Sequence, residues 1–296
     1  MSQVNISPSD TLGALPRIPS WATSTRAKSE DEIAFQSGAA LALLHTVLAC
    51  AEVPQALLRE RLALRAAEAN VRMSGRFERI GELRDEVHLL RPGDTPGPAG
   101  AIYMQWRRVI SRQISLGALS KALPDLPAQD MATWLDMARG SPIRQATAVF
   151  ATVLAENKSD ETVALILADA ALSRACGWKH LVPLLALGLR SRDLRCTGSD
   201  LHTAIGKATI EAATEAVTMA RDLAQRSARL EAARAKLRAK GAEKAVALFL
   251  SRDALAPMAL NDAMSGRAAR RFCQRLVDLG VVRELTGRDT FRIYGV

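Results

Sequence analysis

The chain has 296 residues, 48% of them hydrophobic and 4% aromatic, and a formal net charge of +9. Alanine and leucine dominate while β-branched runs are almost confined to the C-terminal end, which excludes a mostly β fold and predicts a mainly α one. Four cysteines far apart (Cys50, Cys176, Cys196, Cys273), with no C-x-x-C pair, argue against a disulfide scaffold and a cysteine zinc site.

Further expectations follow from the same numbers. A chain of this length holds one large domain or two, at about 150 residues per domain. The longest apolar run, AALALLHTVLACA, is too short to span a bilayer, and no basic-then-apolar leader opens the sequence. A cytoplasmic protein without membrane partners is expected. The charge is also uneven. Residues 226–296 carry 15 Lys and Arg against 7 Asp and Glu, a balance of +8, and residues 1–225 balance to +1.

In chain order, residues 1–30 are polar and interrupted by Pro8, Pro16 and Pro19, so an irregular arm is expected, pinned to the body by Trp21. A helix follows from Asp31 to Ala51 with an apolar stripe of Ile33, Leu41, Leu44 and Leu48. Pro54 opens the next, which runs through Leu58, Leu62 and Ala66 to Met73 and breaks at Ser74-Gly75. A further helix spans Arg76 to Leu89. On it Glu82, Asp85 and Glu86 lie within a turn of Arg79 and Arg84, which reads as a solvated face.

The loop RPGDTPGPAG (91–100) fits no phosphate-binding glycine motif, and its prolines remove amide donors, so it reads as a stiff turn. The helix Ala101–Leu119 carries Tyr103, Trp106, Arg107, Arg108 and Arg112. A buried aromatic flanked by snorkelling arginines is favoured there over a nucleotide-stacking surface. After Pro124 and Pro127, helices are expected over 128–139, 142–156 and 160–176, the last almost wholly apolar and therefore central. Trp178 and Pro183 mark a break. One long helix then covers Ser199 to Lys240. Leu223, Leu230 and Leu237 recur at seven on it, too few repeats for a coiled coil. A packing helix with a basic end (Arg226, Arg229, Arg234, Lys236, Arg238, Lys240) is expected, a homodimer helix being the alternative, and Gly241 is the joint.

The stretch after the joint concentrates the information. Ser265 can cap a helix with Ala269, Phe272, Cys273 and Leu276 on one side and Arg267, Arg270, Arg271 and Gln274 on the other. A weaker helix precedes it, from Met258 to Met264. Leu279-Gly280 stops the helix. The runs VVREL and TFRIY then read as a β-hairpin whose turn carries Arg288, with Arg292 on the returning strand. This arrangement looks like a winged helix, a helix-turn-helix variant whose second helix enters the DNA major groove while the hairpin touches the backbone. The expected architecture is therefore a multi-helix bundle over residues 31–240, after an arm over 1–30, with a C-terminal winged-helix-like subdomain over 241–296.

No catalytic constellation emerges. His45, His88, His180 and His202 are scattered, none in H-E-x-x-H, and no serine sits in G-x-S-x-G. Glu86 and His88 lie on different faces of one helix, and Glu156, Asp160 and Glu161 suit helix-start charge. No metal, cofactor or enzymatic activity is expected.

LRERLALRAA, LLRPGDTPGPAG with the following WRR, GWKHLVPLLALGL and the closing RAARRFCQRLVDLGVVRELTGRDTFRIYGV resemble a bacterial family known as domain of unknown function 1403. The resemblance covers the chain from about residue 37 to its end and implies a shared fold without an activity. The helix order, with the break at Met73-Ser74-Gly75, is also similar to Fic-type proteins, which are helical and often end in a winged helix. The Fic signature H-x-F-x-[DE]-G-N-G-R is absent, since Lys179-His180-Leu181-Val182-Pro183 lacks Gly-Asn-Gly-Arg, so no catalytic residue is implied. The expected role is a DNA-binding regulator or accessory protein of a bacterial genetic element. The residues facing DNA would be Ser265, Arg267, Arg270, Arg271, Gln274, Arg288 and Arg292. The alternatives are a scaffold that docks a protein partner through the winged helix, and a diverged Fic-like nucleotide-transferring enzyme.

Overall fold

The computed structural model describes residues 15–23, 29–91, 93–156, 160–288 and 290–296. Pro8 and most of the expected arm lie outside these. What is described of the arm holds to the body. Leu15 is buried and its carbonyl accepts a hydrogen bond from Arg221. Trp21, in the short helix α1 (Ser20–Thr23), stacks on Phe35 with ring centroids 5.5 Å apart. That stack is a surface one, for Trp21 stays 54% exposed and Ala22 is the residue buried beneath.

Helix α2 (Glu30–Leu48) begins at a capping box: Ser29 Oγ accepts from Glu32 N at 3.2 Å, and the Glu32 side chain accepts from Ser29 N. Pro54 precedes α3 (Gln55–Met73), as its fixed φ favours. Helix α4 (Ile80–His88) starts four residues later than expected because the Glu78 carboxylate takes up Arg76 and the Phe77 N–H, keeping that stretch extended. The helix expected over 101–119 is two helices, α5 (Pro98–Ile110) and α6 (Leu116–Ala122). Between them Gln113 pairs with His180, and Ile114 N–H donates to Lys179 O at 2.9 Å. A long-range pairing thus overrides local helix propensity. Trp106 of α5 is fully buried and donates from Nε1 to Asn70 Oδ1 at 2.8 Å, while Arg107 lies over the Tyr103 ring.

Helices α7 (Ala128–Met137), α8 (Pro142–Glu156) and α9 (Glu161–Ala175) follow. Asp160 caps α9, accepting from Val163 N–H at 2.9 Å, and α9 is buried without interruption from Val163 to Ser173, the central position expected. Glu156 does not serve a helix start; it accepts from Trp134 Nε1 at 2.9 Å. After the short α10 (Leu185–Gly188) and a 3-10 turn at Asp193–Arg195 comes α11 (Gly198–Arg234), 37 residues long. It stops six residues before Lys240, so Leu237 lies beyond the helix. Gly241 stands immediately before the next helix. Its φ of +87° is left-handed, and a Cβ there would collide with the Ala263 carbonyl.

The last segment contains α12 (Ala242–Phe249), a 3-10 turn at Pro257–Leu260 where a helix to Met264 was expected, α13 (Gly266–Asp278), and strands β1 (Arg283–Glu284) and β2 (Tyr294–Gly295). The strands are antiparallel with Arg283 opposite Gly295 and Glu284 opposite Tyr294. They are shorter than the runs VVREL and TFRIY. The Glu284 carboxylate accepts from Thr286 and Gly287 N–H groups and bends the chain out of the ladder. Leu255 pairs with Tyr294 from the other side, N–H to O at 2.8 Å and 2.9 Å. Phe249, Phe272, Leu276 and Val282 belong to the same continuous apolar core as Leu58, Phe150 and Leu165 of the body. Each such fully buried side chain contributes about 1.5–3 kcal/mol. Among the described residues no helix is long and apolar enough to cross a membrane.

Candidate nucleic-acid interface

Helix α13 is divided cleanly by its sequence. Ser265 accepts from Ala268 N–H and fixes the start. Ala269, Phe272, Cys273 and Leu276 are buried, and burial pushes the Cys273 thiol up to about 12, leaving it inert. On the outer face Arg267, Arg270, Arg271, Gln274 and Arg275 are exposed. Among the described residues none of these four arginines pairs with a carboxylate. Gln274 donates to Asp278 Oδ1 at 3.0 Å, an exposed contact one helical turn away.

Arg275 escaped the sequence reading, although its i+4 spacing from Arg271 was the available signal. It belongs with Arg271 to a recess of about 570 Å³ whose other wall carries Lys236 and Arg238. Those two residues are not on a helix end, as expected, but in the turn that brings the chain back beside α13. The fold thus adds two cations to the face from a segment some thirty residues away.

The hairpin arginines are placed differently. Arg288 Nη2 sits 2.5 Å from Asp85 Oδ2 of α4, with its side chain half exposed. Arg292 Nε donates to Arg288 O at 2.9 Å, and its side chain also hydrogen-bonds Tyr294. Both are engaged in holding the hairpin. Phe291, at φ +56° and 72% exposed, is a large apolar hairpin side chain turned to solvent.

What anchors this unit is Asp253, fully buried after α12. Arg84 grips it with both arms, Nε to Oδ2 at 2.6 Å and Nη2 to Oδ1 at 2.9 Å, and Arg61 pairs with it from α3. Arg61 also donates to Val296 O at 2.8 Å. Burial drives the Asp253 carboxyl upward, but the Arg84 bonds and the two guanidinium charges prevail and hold it below its ordinary value. The expected solvated face of α4 is therefore corrected: Arg84 goes to Asp253, Asp85 to Arg288, and Glu86 accepts from Gly100 N–H at 2.7 Å. Beside the cluster, burial and then the Arg107 charge depress His88 to about 4.

These groups form a clamp rather than a reactive site, because both Asp253 oxygens are bonded. Asp169, pushed up to about 8 by burial, accepts from Leu184 and Leu185 N–H and fixes the start of α10. Among the described residues no three His, Cys, Asp or Glu side chains gather where a metal could be held.

Among curated proteins none matches the sequence. The sequence model of one family, described as Protein of unknown function (DUF1403), matches residues 7–296. With nearly the whole length matched, the chain belongs to that family.

Proposed function

We propose that the protein binds DNA through the outer face of α13. The observation that carries this reading is a helix whose outward cations lack carboxylate partners among the described residues, extended by Lys236 and Arg238 across a shared recess. Unpaired guanidiniums in solvent are the chemistry that displaces condensed counterions from a polyanion. The chain order supports a winged-helix reading of the same segment: α12, Leu255, the 3-10 turn, α13, then β1 and β2, with Tyr294 pairing between Leu255 and Glu284. In that geometry α13 is the groove-entering helix. Arg267, Arg270, Arg271 and Gln274 are the groove residues, Arg275 with Lys236 and Arg238 a backbone grip, and Ser265 the cap that orients them. Arg288 and Arg292 serve the hairpin's attachment before any contact with DNA.

The test is electrophoretic mobility shift on the protein's own upstream DNA at two salt concentrations. Arg270→Ala with Arg271→Ala weakens binding, and unchanged binding would remove the reading.

A second reading is favoured by Met258 and Phe291, at 78% and 72% exposure. A protein partner docked on those two apolar side chains would use the same subdomain. Phe291→Ala separates the two, since it disturbs partner docking and leaves the salt dependence of DNA binding intact.

A further inference from the structure

Arginines collect at a second place, away from α13. Helices α3 and α5 and the turn that follows α12 border an open recess of about 500 Å³ lined by Arg59, Arg107, Arg108 and Arg252 against a single carboxylate, Glu60. That carboxylate is already taken, accepting from Arg107 Nε at 3.2 Å. Among the described residues Arg59, Arg108 and Arg252 have no carboxylate partner. Arg59 Nε is buried and lacks a hydrogen-bond acceptor. With that donor unsatisfied, the Arg59 guanidinium is not committed to any protein acceptor at Nε, and its charge remains available to an anion in the recess. Met104 and Ile110 give the recess an apolar wall, and Ser111 and Ser251 place hydroxyls at its rim. The lining is mostly charged and polar, four arginines and two serines with Ala56, Met104 and Ile110 as its apolar part, which suits an anionic ligand, and its volume suits a small organic molecule. The planar fork of arginine suits phosphate oxygens two at a time.

We infer that this recess binds a small organic di- or triphosphate, its phosphates held by the three arginines without a carboxylate partner, Arg59, Arg108 and Arg252. None of the α13 arginines lines it, so the inference stands independently of the DNA reading. Arg252 adjoins the clamp residue Asp253, and a ligand there bridges the body and the C-terminal segment.

The probe is inorganic pyrophosphate, titrated calorimetrically into the full chain, with sulfate at matched ionic strength as the control. The expected result is saturable one-site binding that sulfate does not reproduce. Arg108→Gln with Arg252→Gln, both exposed and so not needed for folding, weakens it at least tenfold at an unchanged melting temperature. Arg270→Ala with Arg271→Ala leaves it unchanged. Heats that do not saturate, equal binding of sulfate, or loss of binding in the α13 variant in place of the recess variant would each overturn the inference.

Discussion

Asp253 is the side chain on which the C-terminal segment depends, because it is a buried anion between two cations from different helices. Removing one partner of such a cluster leaves uncompensated charge in a low-dielectric interior. Asp253→Asn should therefore lower stability by about 3–5 kcal/mol in denaturant unfolding. Its neighbour His88 gives a prediction in pH. The folded value lies near 4 against an ordinary 6.5. The unfolded chain thus takes up a proton that the folded one refuses, and stability is lost as pH falls from 6.5 toward 4. Relative to His88→Gln, the native protein should lose about 2–3 kcal/mol over that interval. Parallel acid profiles for the two would contradict it. Neither residue was legible beforehand. Arg84 and Asp253 are 169 positions apart, and three acids lie nearer to Arg84 in the sequence, Glu82, Asp85 and Glu86. The α13 arginines were legible because both sides of one short helix are written in thirteen consecutive residues.

Among the elements, those decided by local chemistry were read well: the Pro54 start, the break at Ser74-Gly75 and the Ser265 cap. Those decided by distant partners were not. The sequence after Arg234 is rich in alanine, lysine and arginine, strong helix formers, yet the helix ends there so that the chain can turn back against α13. Gly241 enforces this turn through its left-handed backbone and its contact with Ala263. Gly241→Ala should cost at least about 1–2 kcal/mol from backbone strain alone, measured as a fall in unfolding free energy. An unchanged value would mean that the turn relaxes freely. The split between α5 and α6 has the same origin, since only the fold brings His180 beside Gln113. The shortened hairpin instead comes from a side chain, Glu284, competing with the ladder for backbone donors.

At the scale of the molecule, a nearly neutral helical body carries a segment with eight excess positive charges. That asymmetry was visible in the sequence. The sharing of one apolar core between the two, and the clamp at Asp253, were not. The consequence is mechanical: α13 packs into the same core as the body, and the Asp253 pairs tie its segment to α3 and α4.

The central claim is that this outer face neutralises DNA phosphates, and its salt dependence is the most direct measurement. Affinity for duplex DNA, followed by fluorescence anisotropy between 50 mM and 200 mM salt, should fall linearly on logarithmic axes. The slope should flatten by about 2 in Arg270→Ala with Arg271→Ala, at unchanged folding. An identical slope and affinity in the folded double variant would contradict the account.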